Sequence, residues 1–259
     1  MITVNLMGRL GNNLFQLATC LSLANKNNTK AYYCKNESNI NVLELPDIQY
    51  TSSNAPNVFS EKKFNYNEEF ENLTDNTHLH GYFQSEKYFK NCKDLILKNF
   101  SFKEYVKQNV KTNGYSDIEN ITNQYTAIHI RRTDYLTIQH AHPICSREYY
   151  INCLNEISPS GKILIFSDDL NWCKENFIGD QYVHVNLDHH CCLYMMTKVK
   201  NIVIANSSFS WWGAWLNNRQ DKKVYAPKQW FGDTLPYRSA DINLTNCLKD
   251  LYCEGWNVR

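Results

Sequence analysis

The feature that most constrains this chain is a regular alternation of short β-rich runs with amphipathic stretches. The runs are Ile2 to Met7, Lys30 to Cys34, Tyr125 to Arg131, Lys162 to Ser167, Tyr182 to Val185, Asn201 to Ala205 and Lys222 to Ala226. Helical patterns lie between them at Asn12 to Asn25, Ser85 to Phe100, Ser146 to Ile157 and Ser208 to Asn217. Strands that take turns with helices predict an α/β fold of mostly parallel strands joined by right-handed crossovers. The 259 residues, 43% of them hydrophobic, suffice for one large core or for two smaller ones joined by a crevice. Tyr50 to Thr77 is polar, Asn-rich and weakly periodic, and reads as irregular structure. A second soft stretch, Thr112 to Thr122, precedes the strongest strand and sets the expected domain boundary, giving residues 1–118 and 119–259.

Lys and Arg total 27 against 26 Asp and Glu, a net charge of +1, so no global basic field exists to hold a nucleic acid. No apolar run approaches the roughly 20 residues needed to cross a bilayer. Met1 leads straight into a strand pattern, which predicts neither anchor nor export signal and a cytosolic setting. The 10 cysteines are scattered without any C-x-x-C pair and read as reduced thiols. His189-His190-Cys191-Cys192 looks metal-like, but adjacent side chains diverge and structural zinc draws ligands from separated segments. The run therefore reads as core or surface filling.

In a parallel sheet, ligands sit beyond the carboxyl ends of the strands, and here those positions are polar. The run through Ile128 continues as His129-Ile130-Arg131-Arg132-Thr133-Asp134. Two arginines at a strand terminus offer permanently charged forks suited to phosphate oxygens. Alternation puts His129 and Arg131 on one face and Arg132 on the other, so one arginine can meet a ligand while its neighbour braces the loop, for instance against Asp134. The alternative is a structural Arg-Asp pair at a sheet edge. The next strand ends in Ser167-Asp168-Asp169, and a later one in Asn206-Ser207-Ser208 before a helical pattern whose amides favour an anion. Together these segments outline an anionic nucleotide pocket. A departing diphosphate needs either a divalent metal or fixed cations and amides. The chain contains no Asp-x-Asp, so Arg131 and the helix end would act without metal.

Gly8-Arg9-Leu10-Gly11-Asn12-Asn13 follows the first strand and opens the first helix, either as a tight turn or as a binding loop close to a phosphate or sugar. It matches neither a dinucleotide nor a Walker fingerprint. Trp211, Trp212 and Trp215 cluster with Phe209 on a helical pattern. Core packing is the ordinary fate of such aromatics, with sugar stacking the alternative.

Five segments in order, GRLGNNLFQLA at 8–18, GYFQSEKYF at 81–89, HIRRTDY at 129–135, FSDDLNWC at 166–173 and NSSFSWWGAWLN at 206–217, resemble the α-1,2-fucosyltransferase family of glycosyltransferases. The resemblance implies a GT-B-like arrangement: two Rossmann-type domains with mostly parallel sheets facing a central cleft, the first on the acceptor side and the second binding the nucleotide sugar. It implies GDP-fucose as donor, a glycan acceptor, no metal or other cofactor, and inversion at the fucose anomeric carbon. Carried over by position, Arg131 would neutralise the β-phosphate and His129 would help hold the nucleotide. Gly11 and Asn12 would face the sugar-diphosphate from the other domain, and Ser207 and Ser208 the diphosphate or ribose side. Arg132, Asp168 and Asn206 join the donor-binding set, and Arg131 and Asn12 are the expected catalytic residues. Two positions depart from the family pattern. Asn13 stands where Gln is usual, and Cys192 stands where relatives carry an acidic residue able to accept from guanine. A thiol cannot replace that carboxylate, whereas Asp188, one turn earlier, could.

The expected reaction is direct displacement at the anomeric carbon as GDP leaves. Asp134, Asp168 and Glu86 are candidate general bases, with Asp134 alternatively a loop brace, and the departing phosphate could itself take the proton late. Two rivals remain: a sibling transferase using another nucleotide-deoxyhexose, and a catalytically silent carbohydrate- or nucleotide-binding module. The expected acceptor is a cytosolic or membrane-face glycan, the enzyme being cytoplasmic or peripheral at a membrane face.

Overall fold

A computed structural model describes residues 1–34, 38–120, 124–233 and 248–259. They form two compact units. Unit 1 holds residues 1–103 and 248–253, and unit 2 holds residues 104–233 and 254–259. The soft stretch at 112–122 lies inside unit 2, its last two residues outside the described set. The chain passes between units earlier, at Lys103, because the helix after it packs into unit 2.

Unit 1 carries β1 (Ile2–Val4), α1 (Leu10–Lys26), β2 (Ala31–Tyr33), β3 (Ile48–Tyr50), β4 (Asn57–Ser60), β5 (Thr77–His80) and α2 (Lys93–Asn99). Its five strands are all parallel, in the order β3-β2-β1-β5-β4. β1 is buried at every residue and α1 nearly so, which places polar Asn13, Gln16 and Thr19 in the interior beside the apolar residues. Three of these strands, β3 to β5, were not expected. β4 falls inside the segment read as irregular, and only Phe59 of its four residues is buried. The helix expected at 85–100 is instead two single 3₁₀ turns, Glu86–Tyr88 and Lys90–Cys92, followed by α2. Phe89 breaks the run at φ −146°, ψ 2°, and buries its ring 6.0 Å from that of Phe15.

Unit 2 carries α3 (Glu104–Val110), β6 (Thr126–Ile130), α4 (Arg147–Ile157), β7 (Ile163–Ser167), α5 (Leu170–Asn176), β8 (Tyr182–His184), α6 (His189–Met196), β9 (Asn201–Val203), α7 (Ser208–Trp215), β10 (Lys223–Ala226) and β11 (Asn257–Val258). The strands are again all parallel, in the order β11-β10-β9-β6-β7-β8. This is the doubly wound, Rossmann-type order, in which the chain winds outward from β6 in one direction and then from β9 in the other. Its core gathers Ile128, Ile130, Tyr150, Leu154, Ile165 and Val203. Trp211, Trp212 and Trp215 are buried and stack among themselves, as core packing requires. None of the described helices is long and apolar enough to cross a membrane.

α7 lies close against α6 because position 213 has no side chain. A Cβ there would stand 2.8 Å from the Cβ of Met196. Gly213→Ala is therefore expected to lower stability by about 1–3 kcal/mol, the scale of core overpacking, as measured by urea unfolding.

Candidate functional site

Reversal of strand order leaves a crevice at the carboxyl ends of the two strands from which winding diverges. In unit 2 those strands are β6 and β9, and the residues just past them are the arginine doublet and Asn206-Ser207-Ser208. Arg131 Nη1 donates to Asp168 Oδ2 at 2.6 Å, Nη2 donates to Asp134, and the guanidinium carbon lies 5.1 Å from the Tyr135 ring centre. Asp168 also accepts from the Arg132 backbone N–H at 2.9 Å and from the Thr133 hydroxyl at 2.5 Å. One carboxylate after β7 thus fixes three consecutive residues after β6.

Arg132 is the bracing member of the doublet, but not against Asp134. Its Nε donates to Asp169 at 3.1 Å and its guanidinium covers the Trp172 ring at 4.0 Å. Asp169 in turn caps α5 by accepting from the Trp172 N–H at 3.2 Å. Asp134 pairs with Arg131 instead, since Arg131 shares its face with the short helical turn Thr133–Thr137 that carries the aspartate.

His129 is 6% exposed, its ring 5.5 Å from that of Phe209 on α7. Burial pushes its pKa down to about 4, reinforced by the Arg131 charge and opposed by Asp168. The ring is neutral near pH 7, and its Nδ1 is buried without a hydrogen-bond partner. Asn206 is buried and fully engaged: its amide donates to Pro143 O at 2.8 Å and Trp230 O at 3.0 Å, while its own carbonyl accepts from Tyr135 O–H at 3.2 Å. It clips together the loops that flank the crevice. Ser207 occupies the N-cap of α7 without a side-chain capping bond, and Ser208 begins the helix, partly exposed.

The base-side substitution is also defined. Cys192 is buried with its thiol donating to Leu187 O at 3.5 Å, and burial raises its pKa to about 12. Asp188 caps α6, accepting from the N–H groups of His190 at 2.9 Å and Cys191 at 3.0 Å. Its second oxygen accepts from Asn109 Nδ2 at 3.2 Å and the Cys191 thiol at 3.2 Å. That carboxylate is committed to holding α6 and α3.

In unit 1 β1 and β5 lie side by side and parallel, and the motif residues that follow them meet. Gly11 is buried in the first turn of α1, whereas Asn12 keeps partial exposure. Gln84 Nε2 donates to Asn12 Oδ1 at 2.7 Å. Gly8 has φ +78°, and a Cβ on it would stand 2.4 Å from Asn12 Nδ2, so the turn admits only glycine. Gln16 ties the two segments, accepting from the Met7 N–H at 2.9 Å and donating to Gly81 O at 3.0 Å. Asn13 is buried and donates to Met7 O at 3.2 Å, while its own side-chain oxygen is buried without a hydrogen-bond partner. Glu86 lies in the 3₁₀ turn capped by Ser85. Gln16, Gln84, Tyr135 and Trp172 were not singled out from the sequence as site residues. All four fall in the quoted segments, but their polar or aromatic character alone does not announce a long-range contact. Among the described residues no group of three or more His, Cys, Asp or Glu is placed to hold a metal ion.

The depressed His129 pKa fixes a pH dependence. The unfolded chain takes up a proton near 6.5 and the folded protein only near 4, so this contribution to stability is intact above 6.5 and lost as pH falls toward 4. The loss is about 3 kcal/mol. Denaturant titrations across that window are expected to give a shallower slope for His129→Gln than for the wild type; equal slopes would mean that the imidazole protonates freely.

With this geometry, the chain compares with known proteins as follows. Residues 1–246 match the pattern of Glycosyl transferase family 11. An Escherichia coli alpha-1,2-colitosyltransferase is 34% identical over 163 residues, 58% of this chain and 55% of that one. The bovine galactoside alpha-(1,2)-fucosyltransferase 1 is 24% identical over 243 residues, 83% of this chain and 66% of that one. The chain thus spans about half to two thirds of the length of these relatives. The fold is similar to that of the NodZ alpha-1,6-fucosyltransferase co-crystallized with GDP, with a TM-score of 0.54 at 11% identity, covering 82% of this chain and 91% of that one. The match over residues 1–246 shows that the chain, with its two all-parallel sheets, belongs to Glycosyl transferase family 11.

Proposed function

We propose that the chain transfers L-fucose from GDP-fucose to a hydroxyl of a galactoside or related glycan, forming an α-1,2 linkage with inversion. The observation that carries this is the Arg131 guanidinium at the end of β6, beside the point where strand order reverses, in a chain of family 11. In the proposed reaction the acceptor oxygen bonds to the anomeric carbon as the bond from that carbon to the diphosphate breaks. Charge collects on the leaving GDP, and Arg131 with the first amides of α7 stabilises it. No divalent cation takes part, so chelators should leave turnover unchanged.

The remaining residues divide by what they already touch. His129 offers the nucleotide a neutral imidazole whose buried nitrogen lacks a partner. Ser207 and Ser208 take the diphosphate or ribose side. Arg132, Asp168 and Asn206 shape the donor site through bonds they already make, rather than by meeting the donor directly. On unit 1, which takes the acceptor side, Gly11 lets the chain approach the sugar-diphosphate. Asn12, its oxygen held by Gln84, presents its N–H₂ group. The acceptor proton passes to Asp134, Asp168, Glu86 or the departing phosphate.

A second reading is transfer of another deoxyhexose, and the colitosyltransferase relative favours it. A panel of nucleotide sugars scored for product mass and free nucleotide separates the two, and GDP-fucose alone should give a fucosylated galactoside. Ligand binding without transfer or slow donor hydrolysis from any sugar nucleotide would leave only a binding module. Calorimetry is expected to show GDP binding at least tenfold tighter than UDP; equal affinities would mean that guanine is not read around Cys192. Arg131→Ala should lower kcat by about 10²-fold, the scale of losing one charge-stabilising donor. Near-normal turnover of that variant would refute its role.

A further inference from the structure

The charge at the end of β6 is not positive. Arg131 and Arg132 face Asp134, Asp168 and Asp169, two guanidiniums against three carboxylates, a net −1. The two histidines nearby do not change that balance. His129 is buried and neutral, and His142, stacked on Tyr135 at 4.9 Å, has its pKa lowered by burial, an effect that Asp134 opposes and that Arg131 and His140 reinforce. A multiply charged diphosphate approaching Arg131 therefore meets repulsion unless one carboxylate gives way.

The three carboxylates are unequally held. Asp168 gathers Arg131, the Arg132 N–H and the Thr133 hydroxyl, and its side chain is 21% exposed. Asp169 holds Arg132 and caps α5, at 25% exposure. Asp134 stands on a 3₁₀ turn of five residues and is 42% exposed. Moving Asp168 would release three groups at once and moving Asp169 would uncap a helix. Asp134 is the most exposed of the three, and turning it toward water uncaps no α-helix and leaves the Arg132 N–H and the Thr133 hydroxyl held by Asp168.

We propose that Asp134 is an exchangeable counter-ion of Arg131: it holds the Nη2 edge of the guanidinium and yields that edge to a phosphate oxygen of an incoming diphosphate. Asp168 stays on Nη1 and keeps the guanidinium aimed, while Asp134 sets how much charge the diphosphate meets. This deepens the GDP-sugar reading and rests on it for the identity of the ligand, though not for the exchange itself.

The test uses inorganic pyrophosphate and GDP as separate probes, with affinity measured by calorimetry on the full chain. Asp134→Asn is expected to bind both about tenfold tighter, a change of about 1.4 kcal/mol, because a repelling charge is gone. Asp168→Asn is expected to bind both more weakly, because the guanidinium loses its aim. Unchanged or weakened binding in Asp134→Asn would overturn the proposal and leave Asp134 a plain brace. So would a lack of pyrophosphate binding in both the wild type and the variant. Tighter pyrophosphate binding without sugar transfer from any donor would uphold the exchange and refute the transferase reading. Should Asp134→Asn fail to fold, wild-type crystals soaked with GDP decide the matter. Asp134 must have left the Arg131 Nη2 edge with a phosphate oxygen in its place, and an intact Arg131–Asp134 pair beside bound GDP overturns the proposal.

Discussion

Everything in unit 2 depends on β6 pairing in parallel with both β7 and β9. A parallel ladder sends every strand terminus to the same edge, so residues distant in sequence arrive together without any contact of their own to bring them there. The break in winding direction between β6 and β9 then keeps the connections from covering that edge at one place. His129, Arg131, Asp168 and Ser207 are near neighbours for this reason alone. The Arg131–Asp168 pair refines an arrangement that burial of all five residues of β6 has already fixed.

Burial also decides how much of this was legible in the sequence. β6, β7 and β9 are buried along nearly their whole length and are rich in Ile and Val, so all three were expected near their observed positions. β3 and β4 are edge strands in unit 1 with one buried residue each, and such short, half-wet segments leave no periodic signal. The helix expected at 85–100 failed because Phe89 reaches the aromatic core through a non-helical backbone, a tertiary contact that local pattern cannot foresee. At the site, strand-end position was legible because it follows from where apolar runs stop. Partner choice was not. Whether Asp134 or Asp169 meets Arg132 depends on the direction of a side chain and on the turn at Thr133–Thr137.

The two units solve the same problem with different chemistry. Unit 2 places charge at its strand ends and must balance it, which it does with aspartates graded in exposure. Unit 1 places neutral amides there. Asn12 and Gln84 bond to each other, and Asn13 and Gln16 bond the backbone of Met7 and Gly81, so side-chain amides tie the turn after β1 to the segment after β5. Such a network keeps its form when salt or pH changes, whereas the arginine cluster responds to both.

Gln16 has a consequence for exchanging parts among relatives. Its side chain binds the turn after β1 on one side and the segment after β5 on the other. Gly81 lies 65 positions beyond Gln16 along the chain, yet the two segments behave as one mechanical part. A chimera that takes the opening turn from one homologue and the later segment from another severs that part, however well each piece aligns, so recombination breakpoints belong outside the whole stretch from Met7 to Gly81.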